Sequence, residues 1–199
     1  MDFLSTLEKK WGKMRKEGHY TANGKMSFIS DETRLNVVFE PIDDSAIESA
    51  FYEKLKSEIL PELKAFYKKH NGCRLFFSSL SVFGVQQNNR EVYEPYDIVY
   101  ENLNYYSSLR EKKKPNIVFF ASLGGKYLFG YDRIELSKVY CIKKGSKEIE
   151  QEFDSFDEFF SHYFDALIKM YDADCHKVNP NEEYKGIPVL ENVTYDLIR

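Results

Sequence analysis

Five consecutive apolar residues, Ile117-Val118-Phe119-Phe120-Ala121, followed three positions later by Gly124-Gly125, restrict this chain more than any other feature. An unbroken apolar run of that length reads as a strand buried on both faces, over Asn116–Ser122. The glycine pair tolerates positive φ at both turn positions, so Lys126–Asp132 is predicted to return as the antiparallel partner. Lys138–Ile142 then completes a meander.

Helical periodicity frames this hairpin. Pro61 suits a first helical turn, Leu60, Leu63, Phe66 and Tyr67 follow at helical spacing, and Asn71-Gly72 supplies a left-handed stop after His70. Upstream, Ser45 and Glu48 have the spacing of a capping box, and Ile47, Phe51, Leu55 and Ile59 repeat every four residues. Arg74–Phe77 and Leu80–Val85 read as strands, and residues 86–89 as a polar loop. Pro95-Tyr96-Asp97 opens a further helix with Val99, Leu103, Tyr106 and Leu109 on one stripe. It ends at the basic run Arg110–Lys114 and Pro115. Ser155 and Glu158 form a second capping box before Phe156, Phe159, Phe160, Tyr163, Phe164 and Leu167, the clearest helical stripe in the chain.

Before residue 43 the pattern is a helix over residues 2–16, with Phe3, Leu7, Trp11 and Met14 on one stripe. Gly18 and Asn23-Gly24 punctuate it, and strands follow over Lys25–Ser30 and Leu35–Glu40. After Tyr171 the chain is polar and turn-rich. The expected organisation is therefore an N-terminal accessory helix and strands (1–42), a main domain (43–171) and a tail packed on it (172–199). Strands and helices mix without regular βα alternation, which argues α+β, a largely antiparallel sheet covered by helices on one side.

Composition excludes more than it identifies. With 16 Phe and 15 Tyr among 199 residues the chain can build a large core, and part of that aromatic excess suits contact surfaces. A net charge of −4 disfavours a general nucleic-acid binder. No export signal or membrane-length apolar run is visible, so the expected location is the cytoplasm. Cys73, Cys141 and Cys175 share no short spacing and read as free thiols, the first two as core residues and Cys175 in the polar tail. His19, His70, His162 and His176 show no metal-ligand spacing, and the adjacent Cys175-His176 pair is a poor chelate. His70 reads as a helix-terminal residue favoured by the dipole, His162 as part of a polar face. No nucleophile elbow, P-loop or dinucleotide fingerprint occurs. The paired acids Asp43-Asp44 and Asp157-Glu158 sit at helix starts, where the macrodipole accounts for them. No enzyme activity, cofactor or metal is expected.

The order of elements resembles the SUKH superfamily of cell-wall regulators and bacterial immunity proteins, over Asp43 to Tyr171. The helix pair passing through Leu60-Pro61-Glu62 to His70-Asn71-Gly72 is similar to the family's helix pair. Ser122-Leu123-Gly124-Gly125 closing on Tyr131-Asp132 resembles its central hairpin. Val139-Tyr140 followed by Asp154-Ser155-Phe156-Asp157-Glu158-Phe159-Phe160 resembles its last strand and closing helix. A typical member carries an acid directly after the hairpin glycines; Lys126 stands there in this chain, so no ligand role for that acid carries over.

The resemblance implies a non-enzymatic protein-binding domain, with immunity against a polymorphic toxin, by occlusion of the toxin, as the specific role. An adaptor or scaffold on the same fold is the alternative, and a small-ligand binder or enzyme a more distant one. A protein partner is expected, with no nucleic acid and no membrane. The candidate contact residues are Glu91, Glu94, Asp97 and Glu101, where acids alternate with Tyr93, Tyr96 and Tyr100. A second acidic cluster, Glu148 to Glu158, and a basic first-helix face of Lys9, Lys10, Lys13, Arg15 and Lys16 read first as solvated surfaces.

Overall fold

Each strand of the sheet pairs antiparallel with the strand next to it in sequence, from β1 to β9. The computed structural model describes residues 2–25, 33–86, 94–108, 116–146 and 148–179. The elements run α1 (Phe3–Trp11), β1 (Arg15–Glu17), β2 (Tyr20–Lys25), β3 (Arg34–Phe39), α2 (Asp44–Glu48) continuing as a π-helix (Ser49–Leu55), and α3 (Pro61–Tyr67). They go on through β4 (Cys73–Leu75), β5 (Leu80–Val82), α4 (Ile98–Ser108), β6 (Ile117–Leu123), β7 (Tyr127–Asp132), β8 (Val139–Lys143), β9 (Ile149–Phe153) and α5 (Phe156–Lys169). The α+β expectation holds, and β1–β3 extend the same sheet through the β3–β4 pairing.

The hairpin at Gly124-Gly125 forms as read. Ile117–Leu123 pairs with Tyr127–Asp132, and all but the first residue of β6 is buried. Both faces of that strand are covered because helices lie on both, a departure from the one-sided expectation. On one face Phe120 and Phe129 meet Phe159 of α5, and α1, α3 and α5 join through Phe3, whose ring lies 6.1 Å from Phe66 and 5.2 Å from Phe160. On the other face Tyr105 of α4 sets its ring edge-on to Phe119 at 4.5 Å.

In that position α4 departs from its expected apolar stripe at Leu103, while Val99 packs against the core; the Tyr106 side chain and Leu109 lie outside the described residues. Ile98, Asn102 and Tyr105 are buried, whereas Leu103 is 51% exposed. β5 pairs with β6 only as far as Val82 and Ala121, so the backbone of Phe119 beyond it lacks a strand partner on that side. Asn102 takes the vacant place: its Nδ2 donates to the Phe119 carbonyl (2.7 Å) and its Oδ1 accepts from the Phe119 N–H (2.9 Å). A primary amide reproduces both functions of a peptide group, which keeps a buried strand edge satisfied. Asn71 does the same for Val85, donating to its carbonyl and accepting from its N–H.

Two local departures have simple causes. The proposed capping box at Ser45 and Glu48 is not made; the helix starts two residues earlier, with Asp43 at the N-cap and no side-chain cap bond. The segment behind it widens into a π-helix, with the N–H of Lys56 bonded to the carbonyl of Phe51. Apolar residues every four positions drift by about 40° per step around an α-helix, and a wider helix keeps Ile47, Phe51 and Leu55 in line and buried. The first helix stops at Trp11, because Gly12 takes φ +83° and Glu8 Oε1 accepts from the N–H of Met14. Lys13, Arg15 and Lys16 therefore leave the helix, and no continuous basic face forms. Asn23-Gly24 lies inside β2 and does not punctuate it.

The β4–β5 turn is the most strained segment described. Phe76, Phe77 and Ser78 have φ of +53°, +56° and +62°, three successive left-handed residues none of which is glycine. Each such residue costs about 1–2 kcal/mol. The turn is held by hydrogen bonds from the N–H of Phe77 to the Leu35 carbonyl (2.8 Å) and from the N–H of Phe76 to Asn36 Oδ1 (3.2 Å), and by the Phe76 ring against Trp11, Phe164 and Tyr171.

The sheet ends on β1 at one side and β9 at the other, and both strands are rich in charge. β9, absent from the sequence reading, carries Glu150 and Glu152, with Lys138 Nζ 3.0 Å from Glu152. Charge on an edge strand discourages pairing with another chain. That role accounts for much of the Glu148–Glu158 cluster, all of whose acids are exposed. The tail folds back over residues 171–179, where the Trp11 Nε1 donates to the carbonyl of Asp172 and Cys175 is buried. Residues 26–30, 87–89, Glu91, 109–115 and the apolar stretch 187–190, each part of a sequence expectation, lie outside the described residues.

Candidate functional site

The face of the sheet away from α5 carries the described candidate contact residues, Glu94, Asp97 and Glu101. Direct cross-strand partners share a face, and the pairings align Ala22, Val37, Arg74, Ser81, Ser122, Leu128 and Ile142 in one row across β2–β8. The chain then crosses this face through Glu94, Pro95, Tyr96 and Asp97 into α4. The N–H of Gly84 donates to the carbonyl of Tyr96 and the N–H of Ile98 to the carbonyl of Gly84, which pins the segment to the strand leaving β5. Gly84 permits the approach, since a Cβ there would lie 2.3 Å from the Asn71 carbonyl oxygen and 2.7 Å from Pro95.

Of the four sequence candidates, Glu94 and Glu101 border two separate cavities and Asp97 lies between them. The Asp97 carboxylate is engaged in structure: Oδ1 accepts from the N–H of Tyr100 (2.7 Å) and Oδ2 from the N–H of Gln86 (3.1 Å). Its role is to cap α4 and anchor the preceding loop. Glu91 lies outside the described residues.

The larger cavity, about 490 Å³, has Tyr20, Phe39 and Pro95 among its apolar lining and Glu17, Glu40 and Glu94 among its acids. Two of these acids are paired, Glu17 with Arg34 at 2.9 Å and Glu40 with Lys16 at 2.7 Å. The smaller, about 350 Å³, is bounded by Phe77, Ser78, Phe83, Tyr96, Glu101 and Lys144, with the Gly124-Gly125 turn at its edge. Burial raises the Glu101 carboxyl above the ordinary range, the Lys144 ammonium pulls it back in part, and Asp97 pushes it up further. Between the cavities the Arg74 guanidinium lies 5.5 Å from the Phe39 ring centre and 5.9 Å from that of Tyr96.

Outward from this ridge, Tyr96, Tyr100 and Leu103 are 40%, 62% and 51% exposed. Tyr100 and Leu103, three residues apart on α4, share an outward face, and Tyr96 lies in the segment that leads into the helix. Of these three, Leu103 was expected on the buried stripe of the helix and is exposed instead; the buried Ile98–Asn102–Tyr105 face accounts for the difference.

No catalytic constellation accompanies these groups among the described residues. Cys73 and Cys141 are buried, and burial pushes both thiols up to about 12, away from nucleophilic use. Cys175, read from sequence as part of a polar tail, is also buried and its thiol raised. His70 packs edge-on against Phe3 and Phe66; burial lowers its pKa, so desolvation prevails over the helix dipole and the ring is neutral. No group of three or more potential metal ligands occurs among the described residues, and no described helix is long and apolar enough to cross a membrane.

A family model described as the SMI1 / KNR4 family (SUKH-1) matches residues 41–162, more than half of the chain. No curated protein gives a significant match.

Proposed function

We propose that this chain, which belongs to the SMI1 / KNR4 family (SUKH-1), is a non-enzymatic cytoplasmic module that binds another protein, and that its specific role is immunity: neutralising a toxin domain by covering it. The observation that carries the binding reading is the exposure of Tyr96, Tyr100 and Leu103 beside Glu94 and Glu101. Aromatic side chains supply large, rigid contact area, and acids at the rim orient an incoming basic surface. The immunity role comes from the family. Toxin nucleases are commonly basic, and an acidic rim suits such a partner.

An immunity gene is expected to lie beside the gene of its toxin, and the test uses the toxin-like domain found at that place. Co-expression is expected to restore growth of cells producing that domain, and the purified pair is expected to associate more slowly as salt rises. Charges on opposing surfaces steer encounter over a Debye length of about 8 Å at physiological ionic strength. Reversing Glu94 and Glu101 to Lys should slow association while leaving the denaturation midpoint unchanged. Absence of rescue and of a complex would overturn the immunity role. Association insensitive to salt and to both reversals would remove this face.

A further inference from the structure

The smaller cavity brings together three features that the binding reading does not by itself require. The first is backbone strain: Phe77 and Ser78, two of the three successive left-handed residues of the β4–β5 turn, line it. Strain of this kind persists only where the surroundings over-determine it, and it concentrates at ligand sites. The second is an unmatched charge. The Glu101 carboxylate is half withdrawn from water, yet no hydrogen bond or ion pair reaches it among the described residues. The third is the aromatic wall of Phe77, Phe83 and Tyr96, where the Tyr96 ring already has the Arg74 guanidinium at its other boundary.

We propose that this cavity receives one arginine side chain from the protein partner, its guanidinium against the aromatic wall and paired with Glu101. The assignment rests on the binding-module reading above and adds the chemistry of the residue that anchors the partner. A planar guanidinium matches both halves of the site, stacking on rings and donating two hydrogen bonds to one carboxylate. The desolvated Glu101 gains a counter-charge, which offsets the burial that a lone carboxylate resists. Lys144, exposed at the mouth, is the resident competitor, and an arriving arginine displaces its partial neutralisation of Glu101.

The test needs no partner, so its failure is separable from failure of the immunity role. The intact chain is titrated with N-acetyl-arginine amide, and with the citrulline analogue as a neutral isostere, while backbone amide shifts are followed by NMR. The arginine probe is expected to move the amides of Tyr96, Ser122 and Gly125 saturably, and the citrulline probe to leave them in place. Glu101→Gln should weaken the arginine probe by at least about tenfold, and Lys144→Ala should strengthen it. The Glu101 carboxyl, followed through its side-chain carbon, should titrate at lower pH when the probe is bound. Equal binding of both probes, unchanged affinity in Glu101→Gln, or shifts that do not saturate or that spread over the surface would overturn the assignment. Rescue from the toxin in the face of any of those results would leave the binding module standing without this anchor.

Discussion

Replacing Asn102 with leucine tests the idea that one side chain finishes the edge of β6. The two side chains have nearly the same volume, so the change removes the polar contacts and leaves little cavity. What remains is the N–H and carbonyl of Phe119, a residue 1% exposed, without partners. The carbonyl of Ile98, which also accepts from Asn102 Nδ2, lies four residues back in the helix and keeps its main-chain donor. An orphaned buried group costs about 1–3 kcal/mol, with carbonyls tolerating the loss somewhat better than N–H groups. The expected loss is therefore about 2–5 kcal/mol, a large share of the roughly 5–15 kcal/mol that separates a folded domain from its unfolded chain. Urea denaturation should show a lower midpoint at an unchanged slope. Asn102→Asp sharpens the test, because one carboxylate oxygen would then face the Phe119 carbonyl. Its folded-state pKa would rise above the unfolded value of about 3.9. The deficit should be full above the folded pKa and shrink as pH falls through it, since the protonated acid can donate to that carbonyl. A loss below about 1 kcal/mol in the leucine variant, or an Asp variant whose deficit ignores acid, would refute the reasoning.

Phe160→Ala should cost about 3–5 kcal/mol in chemical denaturation, because the ring is 5% exposed and touches Phe3, Phe66, Phe156 and Phe164. His70 has its pKa lowered by burial, so its contribution is intact above the ordinary value of 6.5, declines as pH falls through it, and levels off below the folded value. His70→Gln should accordingly lose less stability between pH 7.5 and pH 5 than the parent chain, a comparison of denaturation midpoints at each pH. All three thiols should react slowly with a thiol-specific reagent in the native state and completely in denaturant, since Cys73, Cys141 and Cys175 are buried; fast labelling of Cys175 alone would show that the 171–179 segment lifts readily.

Much of the core could be read from local pattern. The stripe from Phe156 to Leu167 is buried at all six positions named, and Ser155 Oγ accepts from the N–H of Glu158 as its spacing implied. The reciprocal bond goes one residue further than expected, from the N–H of Asp154 to Glu158 Oε2. The elements that escaped were those whose reason is tertiary. β1 and β9 are edge strands, short or charged, and edges suppress the apolar alternation that announces a strand. In α4 the expected stripe fails at Leu103, which is exposed, because Asn102 is buried for its hydrogen bonds. Within the candidate site, the alternation of acid and tyrosine marked a segment that crosses one face of the sheet. It did not distinguish Asp97, which caps a helix, from Glu101, which borders a cavity, because that difference lies in where β5 ends.

Two hydrogen-bonded asparagine side chains, one of them the Asn71 that completes a ladder, also govern how this protein ages. Asn23-Gly24 and Asn71-Gly72 are the dipeptide in which a backbone nitrogen most readily attacks the side-chain amide carbon, releasing ammonia and closing a cyclic imide that water then opens to an acid. In the fold both amides are immobilised, Asn71 across Val85 and Asn23 between the carbonyl of Gly12 and the amide of Asn36. Attack requires the side chain to rotate onto the following nitrogen, so the intact sheet withholds the reaction and each opening of the sheet exposes it. Once converted at position 71, the chain places a carboxylate where the Val85 carbonyl needs a donor, and the segment that was closed cannot be closed as well again. Molecules that open often would thus be marked one mass unit heavier, and the heavy fraction in a stored sample would count past excursions from the native state.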